Sequence, residues 1–305
     1  MRSAAIIGTG LIGTSIGLGL RSAGWEVTGW DVASEALMAA VDRGGLTRAA
    51  ASEAEALAGP HDIVVLACPP PATEAIVSRG DIPWLTIDTC GAKSVIMAAN
   101  RLERFVGSHP MAGREVSGPD PATASLFNGA TWVIAIDGAS ATDSDAVERV
   151  VRELGARPVR MTAEDHDAAV AAISHLPQLL AASLVGLAGE HPEAMNLAAG
   201  SFRDLTRVAG SDPALWIDVL AANRAHVLAS LHEMQGRLAA AAAFLEANDL
   251  SGLAEQLHTS RDVRRSLTAR ATAVRVALAD QPGELAKVGT CLLYTSDAAD
   301  ESSSV

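Results

Sequence analysis

Three stretches of the sequence combine residue types that do chemistry on an alcohol. His109 stands in Phe105-Val106-Gly107-Ser108-His109-Pro110-Met111-Ala112-Gly113-Arg114-Glu115, after a β-rich run and before a proline. The second stretch is Ser174-His175-Leu176-Pro177-Gln178, and the third, from Phe202 to Trp216, sets Arg203 and Arg207 four residues apart. Oxidising an alcohol needs a group that accepts the hydroxyl proton as hydride leaves, and imidazole suits this because it titrates near neutrality. A carboxylate-bearing substrate needs cationic forks, which arginine supplies bidentately. His109 with Arg207, and Arg203 nearby, makes a workable oxidoreductase set. Each residue also has a plainer reading. His109 fits a turn or core residue, and the arginines fit surface ion pairs with Asp204 or Asp212. His175 fits a structural residue near a kink at Pro177, and Trp216 fits the core. Spacing alone leaves the substrate open.

The elements that position these residues begin with a nucleotide site. Gly8-Thr9-Gly10-Leu11-Ile12-Gly13 is G-x-G-x-x-G, set between a strand pattern at Ala4–Ile7 and a helix pattern at Leu11–Ala23. Gly8 permits the tight turn, Gly10 lets backbone approach a pyrophosphate, and Gly13 lets helix pack on strand. The helix start at Leu11 and Ile12 turns N–H groups toward the anion. Alone the motif is weak, but the next strand ends at Asp31, where a carboxylate takes ribose hydroxyls. Asp31 repels a 2′-phosphate, and no arginine follows in Val32-Ala33-Ser34, so NAD is expected rather than NADP. Cys68 and Pro69 follow the apolar Asp62–Ala67 run and belong at the same carboxyl edge, within reach of the cofactor.

Further strand patterns at Glu26–Trp30, Trp84–Asp88, Phe105–Ser108, Thr131–Ile136 and Arg157–Met161 alternate with helix patterns at Ser34–Arg43, Pro71–Arg79 and Ala141–Leu154. Repeated βα units predict an α/β doubly wound, Rossmann-type domain with a parallel sheet over residues 1–162. After it the pattern is all helix, over residues 163–273. Thr162 and Asp165 form a capping box for a long helix running past His175. Asp212-Pro213 opens another of about thirty residues, and a third runs from near Ser251 to about Ala273. Leu179–Leu187 and Leu238–Leu245 are apolar on more than one face and call for burial. A compact bundle within one chain would bury them; an interface between subunits is favoured, because about one hundred residues bury little alone.

Composition narrows the class. Over 305 residues, 49% are hydrophobic and 3% aromatic, so two domains fit and their cores are aliphatic. A net charge of −13 argues against nucleic acid as a partner. Cys68, Cys90 and Cys291 make no C-x-x-C pair, which suits a reduced, cytoplasmic setting. The apolar Ala4–Leu20 stretch could pass for a signal peptide, but its five glycines fit a nucleotide loop better. No later apolar run is expected to reach the length of a membrane span.

The motifs G-T-G-L-I-G-T-S, D-T-C-G-A-K, G-S-H-P-M-A-G-R-E, S-H-L-P-Q and F-R-D-L-T-R-V-A-x-S-D-P-x-x-W, in this order, resemble the prephenate/arogenate dehydrogenase family from the N-terminus to about Ala273. The resemblance implies NAD-dependent oxidative decarboxylation of prephenate to 4-hydroxyphenylpyruvate, or of arogenate to tyrosine, by a homodimer joined through its helical domain. It implies that His109 bonds the substrate's ring hydroxyl, that Arg207 binds the ring carboxylate, and that Glu115 orders the site and gates access. The sequence departs from the family at two places. Gly91 stands where many members have a serine that contacts substrate and histidine, and Gln178 where some have a second histidine. Two rival readings stand beside it. A β-hydroxyacid dehydrogenase would use a helical-domain lysine, and no lysine lies between Ser94 and Ala286. A non-catalytic NAD sensor would keep His109 as a structural residue. Residues 274–289 resemble the opening of an ACT-like regulatory domain, and 290–305 read as an artefactual tail on a truncated gene.

Overall fold

The computed structural model describes residues 1–113 and 118–268. Strands β1 (Ser3–Ile7), β2 (Glu26–Trp30), β3 (Arg48–Ala49), β4 (Ile63–Leu66), β5 (Thr86–Asp88) and β6 (Phe105–Val106) form a parallel sheet in the order β3-β2-β1-β4-β5-β6. That order reverses between β1 and β4, and ligands of such sheets bind outside the carboxyl ends at the reversal. Successive side chains alternate between faces. Ile6, Val65 and Ile87 join one apolar cluster, and Ile7, Val64 and Leu66 join the other. Both faces are covered by helices, which is why these strands read as continuous apolar runs. The covering helices are α1 (Leu11–Ser22), α2 (Ser34–Asp42), α3 (Glu53–Leu57), α4 (Pro70–Arg79), α5 (Ser94–Ala99) and α6 (Ala141–Glu153). The short β3, α3 and α5 are too brief to leave a period, and the sequence did not reveal them.

A second sheet corrects the single parallel sheet expected. β7 (Ser108–Pro110) runs antiparallel to β8 (Thr131–Ala135), and β8 pairs in parallel with β9 (Arg157–Met161). The expected Phe105–Ser108 strand is split at Gly107 between the two sheets. A Cβ there would meet Met97 Sδ at 2.7 Å and Ala135 Cβ at 3.3 Å, so the crossing needs a glycine. His109 therefore lies within a strand, opposite Val133, rather than just beyond one.

Thr162 opens α7 (Ala163–Val170) as expected, its hydroxyl accepting the Asp165 N–H at 3.1 Å. A π-turn at Ala171–His175 follows, then α8 (Leu176–Gly189). Pro177 has no N–H and its ring crowds the carbonyl of Ile173, so the widened turn accommodates it without breaking the helical run. The run Ala163–Gly189 contains an 18-residue stretch of mean hydropathy 1.6 and is long enough to cross a membrane by length and composition. This corrects the expectation that no later run reaches that length. Its polar residues His166, Asp167 and His175 are buried in protein contacts.

Beyond it come α9 (Pro192–Asn196), α10 (Gly200–Thr206), a 3-10 turn at Arg207–Gly210, α11 (Pro213–Ala222), α12 (Arg224–Glu246) and α13 (Leu250–Thr268). Asp212 caps α11 by accepting the Ala214 N–H at 2.9 Å. The single long helix expected from Asp212 is interrupted at Asn223. That side chain donates to the Asp167 carbonyl at 2.7 Å and lies 3.2 Å from His175 Nδ1, a competing network that draws the backbone out of the helix. Residues 1–227 belong to one compact unit and 228–268 to a second. No residue of α11 is buried, and Leu197, Leu205 and Ile217 are 82%, 66% and 66% exposed. The sequence expectations for 274–289 and 290–305 lie outside the described residues.

Candidate active site

The glycine loop lies at the carboxyl edge of β1. Gly8 has φ +93°, and a Cβ on it would stand 2.4 Å from the Ala67 carbonyl oxygen, so this turn needs glycine on both counts. A Cβ on Gly13 would meet the Gly8 carbonyl oxygen at 1.9 Å, whereas one on Gly10 would meet nothing within 4 Å. Gly10 thus faces open space at the N-cap of α1, where no side chain caps the first turn that holds Leu11 and Ile12. Asp31 follows β2 and is tied to the loop, its carboxylate accepting the Thr9 N–H at 2.6 Å and the Ala33 N–H at 2.8 Å. An uncapped helix start, a bare Gly10 and an acid at the end of the second strand fit a dinucleotide.

The loop connects along the sheet edge to His109. The missing Cβ of Gly8 abuts Cys68 N at 3.0 Å. Cys68 and Pro69 follow β4, and the Cys90 thiol lies 3.6 Å from the Cys68 carbonyl and 3.3 Å from the Thr73 hydroxyl. Burial pushes the Cys68 thiol up to about 11 and the Cys90 thiol higher still, so both stay protonated and neither is a nucleophile. Gly91 comes next, and a Cβ on it would lie 3.7 Å from His109 Cε1 and 3.8 Å from Nε2. Gly8, Cys68, Cys90, Gly91 and His109 form one line of neighbours.

His109 is held from behind. Its Nδ1 lies 2.9 Å from His166 Nε2, and His166 Nδ1 lies 2.8 Å from Asp167 Oδ1. Asp167 also accepts the Lys93 N–H and the Ser94 N–H, each at 2.7 Å. Below them Lys93, fully buried, pairs with fully buried Asp88 and donates to the Ser108 carbonyl at 2.6 Å. Asp88 in turn accepts the Ser108 N–H at 2.9 Å. The residue before His109 is thereby pinned through both backbone polar groups.

Burial pushes the His109 imidazole well below its ordinary value, and the neighbouring His166, Lys93 and His175 push it further. The ring is neutral near pH 7 and able to accept a proton. Burial lowers His175 to about 4, and its ring packs edge-on to Trp216 with centroids 6.0 Å apart. Burial works against ionised Asp167, but hydrogen bonds from His166 and from Lys93 and Ser94 outweigh it and hold the acid at about 2.

The remaining expected residues are placed less completely. Gln178, two residues into α8, is buried, and its amide oxygen has no hydrogen-bond partner among the described residues. Arg203 is exposed on α10. Arg207 begins the 3-10 turn, so the pair does not share one α-helical face throughout; that turn packs against α8. Glu115 lies outside the described residues. Sequence reading missed Lys93, His166, Asp167 and Asn223. The His166-Asp167 dipeptide just inside a capped helix was the available signal.

Comparison with known proteins agrees with this layout. Residues 16–161 match the family model "Prephenate dehydrogenase, nucleotide-binding domain", and 162–259 match "Prephenate dehydrogenase, dimerization domain". The chain is 31% identical to a prephenate dehydrogenase of Lactococcus lactis over 88% of this chain and 78% of that protein. It superposes on prephenate dehydrogenase from A. aeolicus, solved with hydroxyphenyl propionate and NAD+, with a TM-score of 0.81 and 26% identity. That match covers 88% of this chain and 98% of the other. Synechocystis arogenate dehydrogenase matches with a TM-score of 0.73 at 26% identity, over 87% and 99% of the two chains.

Proposed function

The chain belongs to the prephenate dehydrogenase family, and from that premise we propose that it oxidises and decarboxylates prephenate with His109 as the proton acceptor. The observation that carries this reading is the line of neighbours from Gly8 to His109, which sets a neutral imidazole on the same sheet edge as the dinucleotide loop. Gly8, Gly10, Leu11, Ile12, Gly13, Asp31, Cys68 and Pro69 would hold NAD, which when bound supplies the hydride acceptor. His109 Nε2 takes the proton of the ring hydroxyl as the carbinol carbon is oxidised. The ring carboxylate then leaves as CO₂ and its bonding electrons complete the aromatic ring, which drives the reaction forward. The protein's work is positioning and proton removal.

Arg207 is assigned to the ring carboxylate, with Arg203 in support and Glu115 ordering the site; these roles rest on the family motif. Gln178 is assigned to the substrate side chain. A buried acceptor without a partner is costly, and the ammonium of arogenate would satisfy it. Turned end for end, the same amide donates to the keto oxygen of prephenate. Arogenate is therefore the second reading, and it is carried by Gln178. The apolar surfaces left exposed on Leu197, Leu205 and Ile217 support pairing of two copies through the helical domain. The reaction is placed in the cytoplasm, consistent with the free thiols of Cys68 and Cys90.

The test is His109→Asn. Turnover should fall by about 10²–10⁴ while NAD affinity is unchanged, because His109 is not in the glycine loop. Unchanged turnover would remove His109 as the base, and no turnover in the unmodified protein would move the chain to the NAD-sensing class.

A further inference from the structure

We infer that His166 and Asp167 fix His109 as its Nδ1–H tautomer, presenting Nε2 as the acceptor on the Gly91 side, and that in this chain they carry the orientation that position 91 does not supply. The inference rests on the reading of His109 as the base. Neither residue touches the space beside Gly91, so both are positioning residues.

The polarity of the chain is set at its buried end. Asp167 is an ionised carboxylate and only accepts. Its Oδ1 takes the Lys93 N–H and its Oδ2 the Ser94 N–H, so its place is fixed by backbone rather than by a mobile side chain. Asn223 adds a third tie through the Asp167 carbonyl, at 2.7 Å. The remaining contact, His166 Nδ1 at 2.8 Å, must donate, because the carboxylate has no proton to give. With a single proton, held on Nδ1, the His166 ring offers a lone pair at Nε2, 2.9 Å from His109 Nδ1. His109 then donates from Nδ1, and its own lone pair sits at Nε2. The two ring planes stand at 80° with centroids 5.1 Å apart, a separation that leaves room for one nitrogen of each ring between them at the 2.9 Å contact.

Among the described residues, no hydrogen bond reaches the opposite side of His109. A Cβ on Gly91 would stand 3.8 Å from Nε2 and 3.6 Å from Val219 Cγ1, at ordinary contact distances. Its backbone is outside the left-handed region, so a serine fits there without strain. The side chain at 91 gives His109 no second anchor, and the one hydrogen bond found for the His109 ring among the described residues is that to His166. Where a hydroxyl at position 91 would divide the task of holding the ring, this chain places it on the His166–Asp167 pair.

The experiment begins with the unmodified protein. Nitrogen-15 histidine NMR, with His109 assigned from the His109→Asn spectrum, should show the proton on Nδ1; a proton on Nε2 overturns the inference. His166→Leu should lose that signature and lower kcat about 10- to 100-fold, with KM for NAD and substrate within about twofold. His166→Gln, whose amide oxygen lies near the position of Nε2, should restore most of kcat. Gly91→Ser placed in the His166→Leu background should recover about fivefold by anchoring the ring from its other side. Full turnover in His166→Leu also overturns the inference. If His166→Leu does not fold, the spectrum of the unmodified protein and the His166→Gln variant still decide the matter. Undiminished turnover in His109→Asn would instead sink the base reading, whichever tautomer the spectrum shows.

Discussion

Replacing Lys93 with methionine should destabilise the protein more than any surface change, and the reason lies beneath His109. Lys93 and Asp88 are both fully buried and paired. In Lys93→Met, Asp88 keeps the N–H bonds from Ser108 at 2.9 Å and Cys90 at 3.1 Å, but its charge has no counter-ion. The Ser108 carbonyl also loses the donor now 2.6 Å away. Removing one partner of a buried pair costs about 3–5 kcal/mol, because the other charge is left uncompensated. With a urea slope of about 3 kcal/mol per M, at the upper end for single domains, the unfolding midpoint should drop by about 1 M or more. Adding Asp88→Asn to Lys93→Met should recover part of that loss, since no orphan charge remains. Urea titrations followed by circular dichroism measure both. A midpoint shift below about 0.3 M, or a double variant no better than the single, would refute the assignment of the pair as a buried structural strut.

Three further outcomes follow from the same geometry. Gly10→Ala should fold normally yet weaken NAD binding by at least about tenfold, because its Cβ meets open space where the pyrophosphate approaches; Gly13→Ala, facing an oxygen at 1.9 Å, should instead lower thermal stability, and calorimetry with NAD titration separates the two. Stability should fall in acid. His175 drops from its ordinary 6.5 to about 4 on folding, so the unfolded chain binds the extra proton. Stability is then lost as pH falls from 6.5 through 4, with a slope approaching about 1.4 kcal/mol per pH unit. Asp167, lowered from 3.8 to about 2, extends the loss below pH 4; urea midpoints from pH 7 to pH 3 check the sign. The pH profile of kcat/KM should be flat through neutrality and fall only on the acid side of 6.5, as His109 takes up its proton. An acid limb centred at or above pH 7 would contradict a depressed His109.

What the sequence disclosed was whatever is local. The caps at Thr162 and Asp212 each act within a few residues of themselves, and the structure places them as read. The tautomer relay was hidden because His109 and His166 are 57 residues apart and nothing in either neighbourhood names the other. Lys93 read as part of a motif, not as a buried cation, since burial is a property of the assembled sheet. The split at Gly107 came from two sheets competing for one apolar run, and the break at Asn223 from bonds to Asp167 and His175 that no helix pattern contains. The run through Pro177 showed the converse. A proline signal was read as a kink, and the chain absorbed it as a π-turn.

The most direct test is spectrophotometric. The purified protein is mixed with NAD and either prephenate or arogenate, and NADH absorbance is followed together with released CO₂. NADH and CO₂ forming in equal amounts with prephenate is the predicted result, and faster turnover with arogenate would instead select the reading carried by Gln178. No NADH with either substrate, from a folded protein that still binds NAD, would contradict the account.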